Sequence, residues 1–132
     1  MRFTLTVSTT QRQQLVDITH ELRELVAEHG QHSELCALYV QGATAAIMVQ
    51  ENWDPNITTD VLDCLGELVA PGKWLHDKVD GNADAHIKAG LVGPSELIPI
   101  ENGKLMLSQW QNVFVCDFNG PRRSRTVIVT LI

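Results

Sequence analysis

Two histidines and several charged side chains are concentrated between Trp74 and Lys88. This fifteen-residue segment holds His76 and His86 together with three aspartates, one asparagine and two lysines. Divalent metals bind imidazoles and carboxylates that converge on one point, and acid–base catalysis uses the same groups. Ten residues separate the two histidines, so they meet only where the intervening loop folds back. The alternative interpretation is structural: His76 caps a loop and His86 satisfies a partly buried hydrogen bond.

A run of arginines near the C-terminus is the densest cationic segment of the chain. Arg122, Arg123 and Arg125 follow Gly120-Pro121, and guanidinium groups capture phosphate oxygens in bidentate geometry. The run therefore predicts a site for an anion or a phosphorylated ligand. The alternative is that these arginines solvate an edge strand and discourage edge-to-edge pairing.

Three tryptophans lie next to polar residues in the sequence. Trp53 stands within a polar segment, 51–56, that predicts either ligand contacts or a capping turn. Together with Trp74 and Trp110 it predicts the wall of a pocket for a planar ring, or else core or interface packing.

Common catalytic and nucleotide-binding motifs are missing. Gly93-Pro94-Ser95 lacks the second glycine of a nucleophile elbow and leads into a predicted strand rather than a helix. Neither Gly90 nor Gly93 begins a Walker loop, because no Gly-Lys-Ser/Thr follows. Serine-hydrolase and P-loop chemistry are therefore not indicated.

Length and composition predict a single domain spanning 1–132. The chain has 132 residues, of which 44% are hydrophobic, enough for a core. Its formal net charge of −6 predicts no nucleic-acid partner. The N-terminus alternates apolar and polar residues, as a strand does, and no apolar run approaches membrane-spanning length. We expect a cytoplasmic protein with no membrane partner, whose three cysteines, lacking a CxxC pattern, are reduced and buried.

Hydrophobic periodicity predicts about three helices and about seven strands. Helical spacing runs from Leu15 to Val26, with Thr19 as a plausible N-cap, and again from Val61 to Val69 between Thr59 or Asp60 and Pro71-Gly72. A brief helix is predicted from Ala83 to Leu91. The strands are predicted in five segments: 3–7, 35–40, 45–49, 97–107 with a hairpin at Asn102-Gly103, and 113–130 with a turn at Asn119-Gly120-Pro121. Hairpins imply antiparallel pairing, so we expect an α+β fold with a mixed, largely antiparallel sheet.

A set of short segments along almost the whole chain carries a family resemblance. They are Ala43-Thr44-Ala45-Ala46-Ile47, Glu51-Asn52, His76, the run from Gly81 to Ala89, Gly93-Pro94-Ser95, Pro99-Ile100, Gly103-Lys104-Leu105, Trp110-Gln111 and the run from Gly120 to Arg125. In order and spacing they resemble the YjbQ-like family, also called the secondary thiamine-phosphate synthases.

The resemblance implies a homotrimer whose ligand site lies near the histidine-bearing loop. The implied reaction joins a pyrimidine methyl diphosphate to a thiazole phosphate and releases pyrophosphate, so that the departing diphosphate needs a divalent metal such as Mg or Zn, cationic donors, or both. The implied metal ligands are His76 and His86, and the implied catalytic groups are His76, His86, Glu51 and Asp80. The implied ligand-binding residues are Lys88, Asn82, Arg122, Arg125, Thr44 and Ser95.

The chain departs from the family pattern at two places. Family members carry His-Thr where this chain has Gly42-Ala43, and Gly-Thr where it has Ser108-Gln109. Three hypotheses follow: a transferase acting on phosphorylated heterocycles, a binder of a phosphorylated metabolite, an anion or a metal without turnover, and a purely structural or partner-binding trimer.

Overall fold

The computed structural model describes all residues from 1 to 132. Eight strands and three α-helices follow one another along the chain, with a short 3₁₀ turn at Leu75–Lys78 between the second and third helices. In chain order they are β1 (Arg2–Val7), β2 (Gln14–Asp17), α1 (Thr19–His29), β3 (Leu35–Val40), β4 (Ala45–Gln50), α2 (Asn56–Leu68), α3 (Ala83–Val92), β5 (Ser95–Glu101), β6 (Lys104–Leu105), β7 (Asn112–Asp117) and β8 (Arg125–Leu131).

The strands form two antiparallel sheets. The larger sheet has the order β1-β8-β3-β5-β6, and the smaller has the order β2-β7-β4. Every paired strand is antiparallel to its neighbour. The predicted α+β class is confirmed, with eight strands. The hairpin at Asn102-Gly103 is also present, with φ angles of 50° and 72° that suit its tight turn.

The main core fills the space between the two sheets and α1. Val127, Val129 and Leu131 point into it from β8, while the residues between them are only partly buried. Helix α1 contributes Leu22 and Val26, which are fully buried. This alternation follows from the two-residue period of a strand, which sends successive side chains to opposite faces.

A smaller core lies on the other face of the three-stranded sheet. In β4, Ala45 and Ile47 belong to the main core, whereas Ala46 belongs to the smaller one. Helix α3 packs there through Ala85 and Ala89, whose small side chains let the helix lie close to the strands. The three-stranded sheet is therefore covered on both faces, and α3 is held against it.

Two helices begin at residues other than those predicted. Helix α1 begins at Thr19 because Leu15 belongs to β2, and α2 begins at Asn56 rather than at Thr59 or Asp60. The N-terminal residues of α1 are held by the Asp17 carboxylate, which accepts hydrogen bonds from the Thr19 backbone N–H at 2.8 Å and from its hydroxyl at 2.5 Å. The predicted cap thus comes from the aspartate two residues earlier.

Asp17 also joins three strands at one end of the three-stranded sheet. Its second oxygen, Oδ2, accepts from the Asn52 amide at 2.7 Å and from the Asn112 amide at 2.8 Å. One side chain thus connects β2, α1, the segment after β4 and the start of β7. Burial alone would raise the pKa of Asp17, but the bonds from Thr19, Asn52 and Asn112 outweigh it and hold the pKa below its usual value.

Two of the three cysteines are buried, as predicted. Burial raises the pKa of the Cys36 thiol to about 11 and that of Cys116 to about 12, so neither is a reactive thiolate at neutral pH. Cys64 differs from the prediction, because α2 leaves it exposed. None of the helices is long and apolar enough to cross a membrane.

Asp17→Asn should lower the free energy of unfolding by about 1–3 kcal/mol, because an amide in place of the carboxylate turns one acceptor of a four-bond junction into a donor. Urea unfolding followed by circular dichroism measures the change. Asp63→Asn, on the exposed side of α2, makes the same change of charge and should alter stability by less than about 0.5 kcal/mol. Equal effects of the two substitutions would contradict the role given to Asp17.

Candidate functional site

The two histidines of the 74–88 segment lie together. His76 belongs to the 3₁₀ turn and His86 to α3, and their ring centroids are 4.9 Å apart in an edge-to-face arrangement at 89°. The loop between them folds back, as their convergence requires. His76 Nε2 also lies 3.6 Å from the Asp80 carboxylate, so the predicted His76, His86 and Asp80 form one polar group.

Asp77 holds this loop in its folded-back path. Its Oδ2 accepts from the Trp74 backbone N–H and its Oδ1 from the Ala83 backbone N–H, both at 3.0 Å. The bond from Trp74, followed by that from Ala83, keeps the pKa of Asp77 below its usual value. Ala83 opens α3, so the Asp77 carboxylate satisfies a first-turn N–H that has no partner within the helix. The sequence gave no sign that Asp77, rather than a histidine, shapes the loop.

The residues around the histidine pair do not form a complete metal site. No group of three or more His, Cys, Asp or Glu side chains is arranged to hold a metal ion. A structural zinc site uses four protein donors and a catalytic one usually three. The buried Oδ1 of Asn82 accepts no hydrogen bond, yet it adds only one neutral oxygen. His76 and His86 therefore fit an acid–base or hydrogen-bonding role better than the predicted role of metal ligands.

A second polar group lies on the opposite side of α3. Asp84 and Lys88 are both 1% exposed and face each other at 3.3 Å, one helical turn apart. Arg12, from the loop between β1 and β2, approaches the other Asp84 oxygen at 3.2 Å. Two residues along an α-helix turn a side chain by about 200°. His86 therefore points away from Asp84 and Lys88, although all three share one helix.

A third polar group surrounds Arg125 at the start of β8. Its Nη2 donates to the Asp117 carboxylate and to the Thr44 hydroxyl, both at 2.7 Å. Thr9 donates to the other Asp117 oxygen at 2.7 Å and accepts from the Arg122 backbone N–H. The predicted Thr44 and Arg125 are thus brought together. Thr9 and Arg12 belong to one loop, which links this group to the Lys88 group.

The guanidinium of Arg125 has donors that the protein leaves unused. Its Nε is buried without a hydrogen-bond partner, and its Nη1 faces the exposed backbone of Gly42, where an added Cβ would lie 2.7 Å away. Gly42 has a φ of 115°, which other residues rarely adopt. The histidine that family members carry here would collide with Arg125 in its present position. The departure at Gly42 therefore opens a path to this guanidinium.

The other predicted site residues lie elsewhere. Arg122 is exposed and its Nε donates to the Asn119 carbonyl, and Ser95 is exposed on β5. Glu51 follows β4 directly, beside the Gln50–Asn112 pair and at the opposite end of the sheet from the Ala45–Asp117 pair. The structure does not bring Glu51, Ser95 or the Arg122 guanidinium into contact with Arg125 or with the histidine pair.

Sequence reasoning missed Thr9, Arg12, Asp84 and Asp117 as members of the cationic groups. A signal existed for two of them. Asp117 interrupts a run of buried strand residues, and a charged residue in such a run is almost always paired. Asp84 and Lys88 have the i,i+4 spacing of a helical ion pair. Thr9 and Arg12 lie in a loop without periodicity and gave no such signal.

Comparison with known proteins identifies the family. Residues 3–132 match the family model described as UPF0047 protein YjbQ-like. The chain belongs to the YjbQ-like family. UPF0047 protein YugU of Bacillus subtilis is 36% identical over 129 residues, covering 98% of this chain and 97% of YugU. A UPF0047 protein of Methanocaldococcus jannaschii is 39% identical over 123 residues, covering 93% of this chain and 88% of the relative.

Solved structures of the YjbQ-like family share the fold along the whole chain. A YbjQ-like protein of unknown function from Sulfolobus solfataricus has a TM-score of 0.95 at 32% identity, with 99% of this chain and 95% of that chain covered. A family member from Clostridium acetobutylicum has a TM-score of 0.91 at 38% identity, with 98% and 99% covered.

The Asp117–Arg125 pair should make stability depend on pH in the acid range. Burial alone would raise the pKa of Asp117, but the bonds from Arg125, Thr9 and Asn119 outweigh it and hold the pKa below its usual value. A lowered folded-state pKa contributes stability above the unfolded value of about 3.9, and this stability is lost as the pH falls through the folded value. Asp117→Asn should cost about 3–5 kcal/mol at pH 7, because it leaves Arg125 buried without its counter-ion.

Urea unfolding at pH 7, 5 and 3 tests this expectation. The difference in stability between wild type and Asp117→Asn should shrink as the pH falls below about 4. Asp60→Asn, an exposed change on α2, should show no such convergence. A difference for Asp117→Asn that is constant with pH would show that its carboxylate is not held ionised by Arg125.

Proposed function

We propose that this protein binds a phosphorylated small molecule or anion through the unused donors of Arg125, reached past Gly42. The observation that carries the proposal is a buried guanidinium whose Nε has no partner and whose Nη1 faces a glycine. Leaving a buried donor unpaired costs about 1–3 kcal/mol, and an anion seated on the guanidinium would recover that cost. Phosphate oxygens match the fork of guanidinium donors closely.

The charges around Arg125 favour an anionic ligand. Three cations (Arg12, Lys88 and Arg125) share two carboxylates (Asp84 and Asp117) in the two groups joined by the Thr9–Arg12 loop. One positive charge is left unmatched in a chain whose net charge is −6. The Lys88 ammonium, 1% exposed, has three donors and one carboxylate contact at 3.3 Å. Lys88 is the second group on which we expect a phosphate to bear.

A second candidate function is the transferase reaction that the family resemblance implies. The observation that favours it is the His76–His86 pair, with Asp80 beside His76, because two adjacent imidazoles suit proton transfer. Within one chain, however, His86 and Lys88 point to opposite sides of α3. Binding without turnover is therefore the function that the geometry of a single chain supports better. The homotrimer implied by the resemblance stays a prediction.

Inorganic pyrophosphate should raise the thermal unfolding midpoint of the wild type in a saturable way. Gly42→Ala should abolish the rise, because its Cβ would lie 2.7 Å from Arg125 Nη1. Gly72→Ala is the matched control, since Gly72 has a φ of 86° and open space around its Cβ. Both variants should lose about 1–3 kcal/mol from backbone strain alone. Sodium chloride at equal ionic strength controls for screening.

The two variants separate the outcomes. A pyrophosphate effect lost only in Gly42→Ala supports binding at Arg125. An equal effect in Gly42→Ala and Gly72→Ala, or none in the wild type, would overturn the proposal.

The transferase candidate predicts thiamine phosphate formation from the two phosphorylated precursors in the presence of magnesium. His86→Ala should lower the rate at least about 100-fold, as expected when an acid–base group is removed. His32→Ala, a change in the turn after α1, should leave the rate unchanged. Pyrophosphate binding without product formation by the wild type would decide for a binding protein, and equal rates in both variants would exclude His86 from the chemistry.

A further inference from the structure

Two exposed tryptophans meet at the end of the three-stranded sheet that lies away from Arg125. Trp53 follows β4 and is 76% exposed, and Trp110 precedes β7 and is 49% exposed. Their ring centroids are 5.6 Å apart at an interplanar angle of 73°. The rings line a depression of about 250 Å³ together with Asn52, Gln109 and Asn112. Two large apolar rings left beside solvent, with amides around them, are typical of a surface that binds a ligand.

The two asparagines of the depression are held in one orientation. Asn52 and Asn112 both donate their amide N–H groups to Asp17 Oδ2. A carboxylate only accepts hydrogen bonds, so the assignment of amide nitrogen and oxygen is fixed at both residues. Neither amide oxygen receives a hydrogen bond from the protein. The depression therefore presents two neutral acceptors next to indole faces, with no cation among its lining residues.

We propose that the depression lined by Trp53 and Trp110 binds a planar heteroaromatic ring that carries an amino group, of the aminopyrimidine or aminopurine class. The ring stacks on an exposed indole face, and its amino group donates to the amide oxygens of Asn52 or Asn112. The two indoles touch edge to face, so the ligand lies on one of them rather than between them. A ring with only carbonyl groups would place oxygen against oxygen.

This site is separate from the proposed anion site. In the β4–β7 pairing, Gln50 stands opposite Asn112 at one end and Ala45 stands opposite Asp117 at the other. Five residues of extended strand span about 17 Å. The ring site and the Arg125 guanidinium therefore lie at opposite ends of the three-stranded sheet within one chain. A neutral ring needs no phosphate to bind here.

Tryptophan fluorescence tests the proposal with neutral probes on the intact protein. Cytosine should quench the emission in a saturable way, whereas uracil, which has a carbonyl in place of the amino group, should bind at least about tenfold more weakly. Trp110→Ala should lower the cytosine affinity at least about fivefold, since stacking of a base on an aromatic ring contributes on the order of 1–3 kcal/mol. Trp74→Phe is the matched control, because the Trp74 indole is committed to the Ala70 carbonyl at 2.7 Å.

The comparison of cytosine with uracil uses wild-type protein and does not depend on the folding of any variant. Saturating inorganic pyrophosphate should leave the cytosine affinity unchanged, so failure at this site is distinguishable from failure at Arg125. Equal affinities for cytosine and uracil, no quenching by cytosine at 10-fold excess over a weak dissociation constant of about 1 mM, or binding of glucose in place of cytosine would each overturn the proposal.

Discussion

The buried carboxylate of Asp117 holds together the parts of the chain from which the candidate anion site is made. It is fully buried at the end of β7, and it receives hydrogen bonds from Arg125 of β8 and from Thr9 of the loop between β1 and β2. Arg125 in turn reaches Thr44 before β4. Both sheets therefore meet at one ion pair. Because a buried charge is stable only when it is paired, the pair fixes where Arg125 points.

The three-stranded sheet carries an organising aspartate at each end, and the two ends differ in chemistry. Asp117 is bound by a guanidinium, so cations gather around it. Asp17 is bound by a threonine and two asparagines, so its surroundings present neutral amides beside two indoles. One end suits phosphate oxygens and the other suits an uncharged ring. A small sheet thus separates two kinds of recognition along strands only six residues long.

The features that the sequence predicted well are those governed by local rules. The alternation in β8 and the Asn102-Gly103 turn depend on residues close together in the chain. The candidate site depends on long-range partners: Thr9 and Asp117 are 108 positions apart, and Arg12 and Asp84 are 72 apart. No periodicity links such residues. The approach of His76 to His86 was recognised only as a condition on the loop, because the Asp77 bonds that fulfil it are not encoded in spacing.

Helix α2 is attached to this framework by little apolar contact. None of its thirteen residues is buried, and Leu62 and Leu65 only flank the smaller core. Local opening costs least where few buried contacts are broken. The backbone amides of Asn56–Leu68 should therefore exchange with deuterium well before those of β7 and β8, and a protease should cut in this segment while both sheets remain folded.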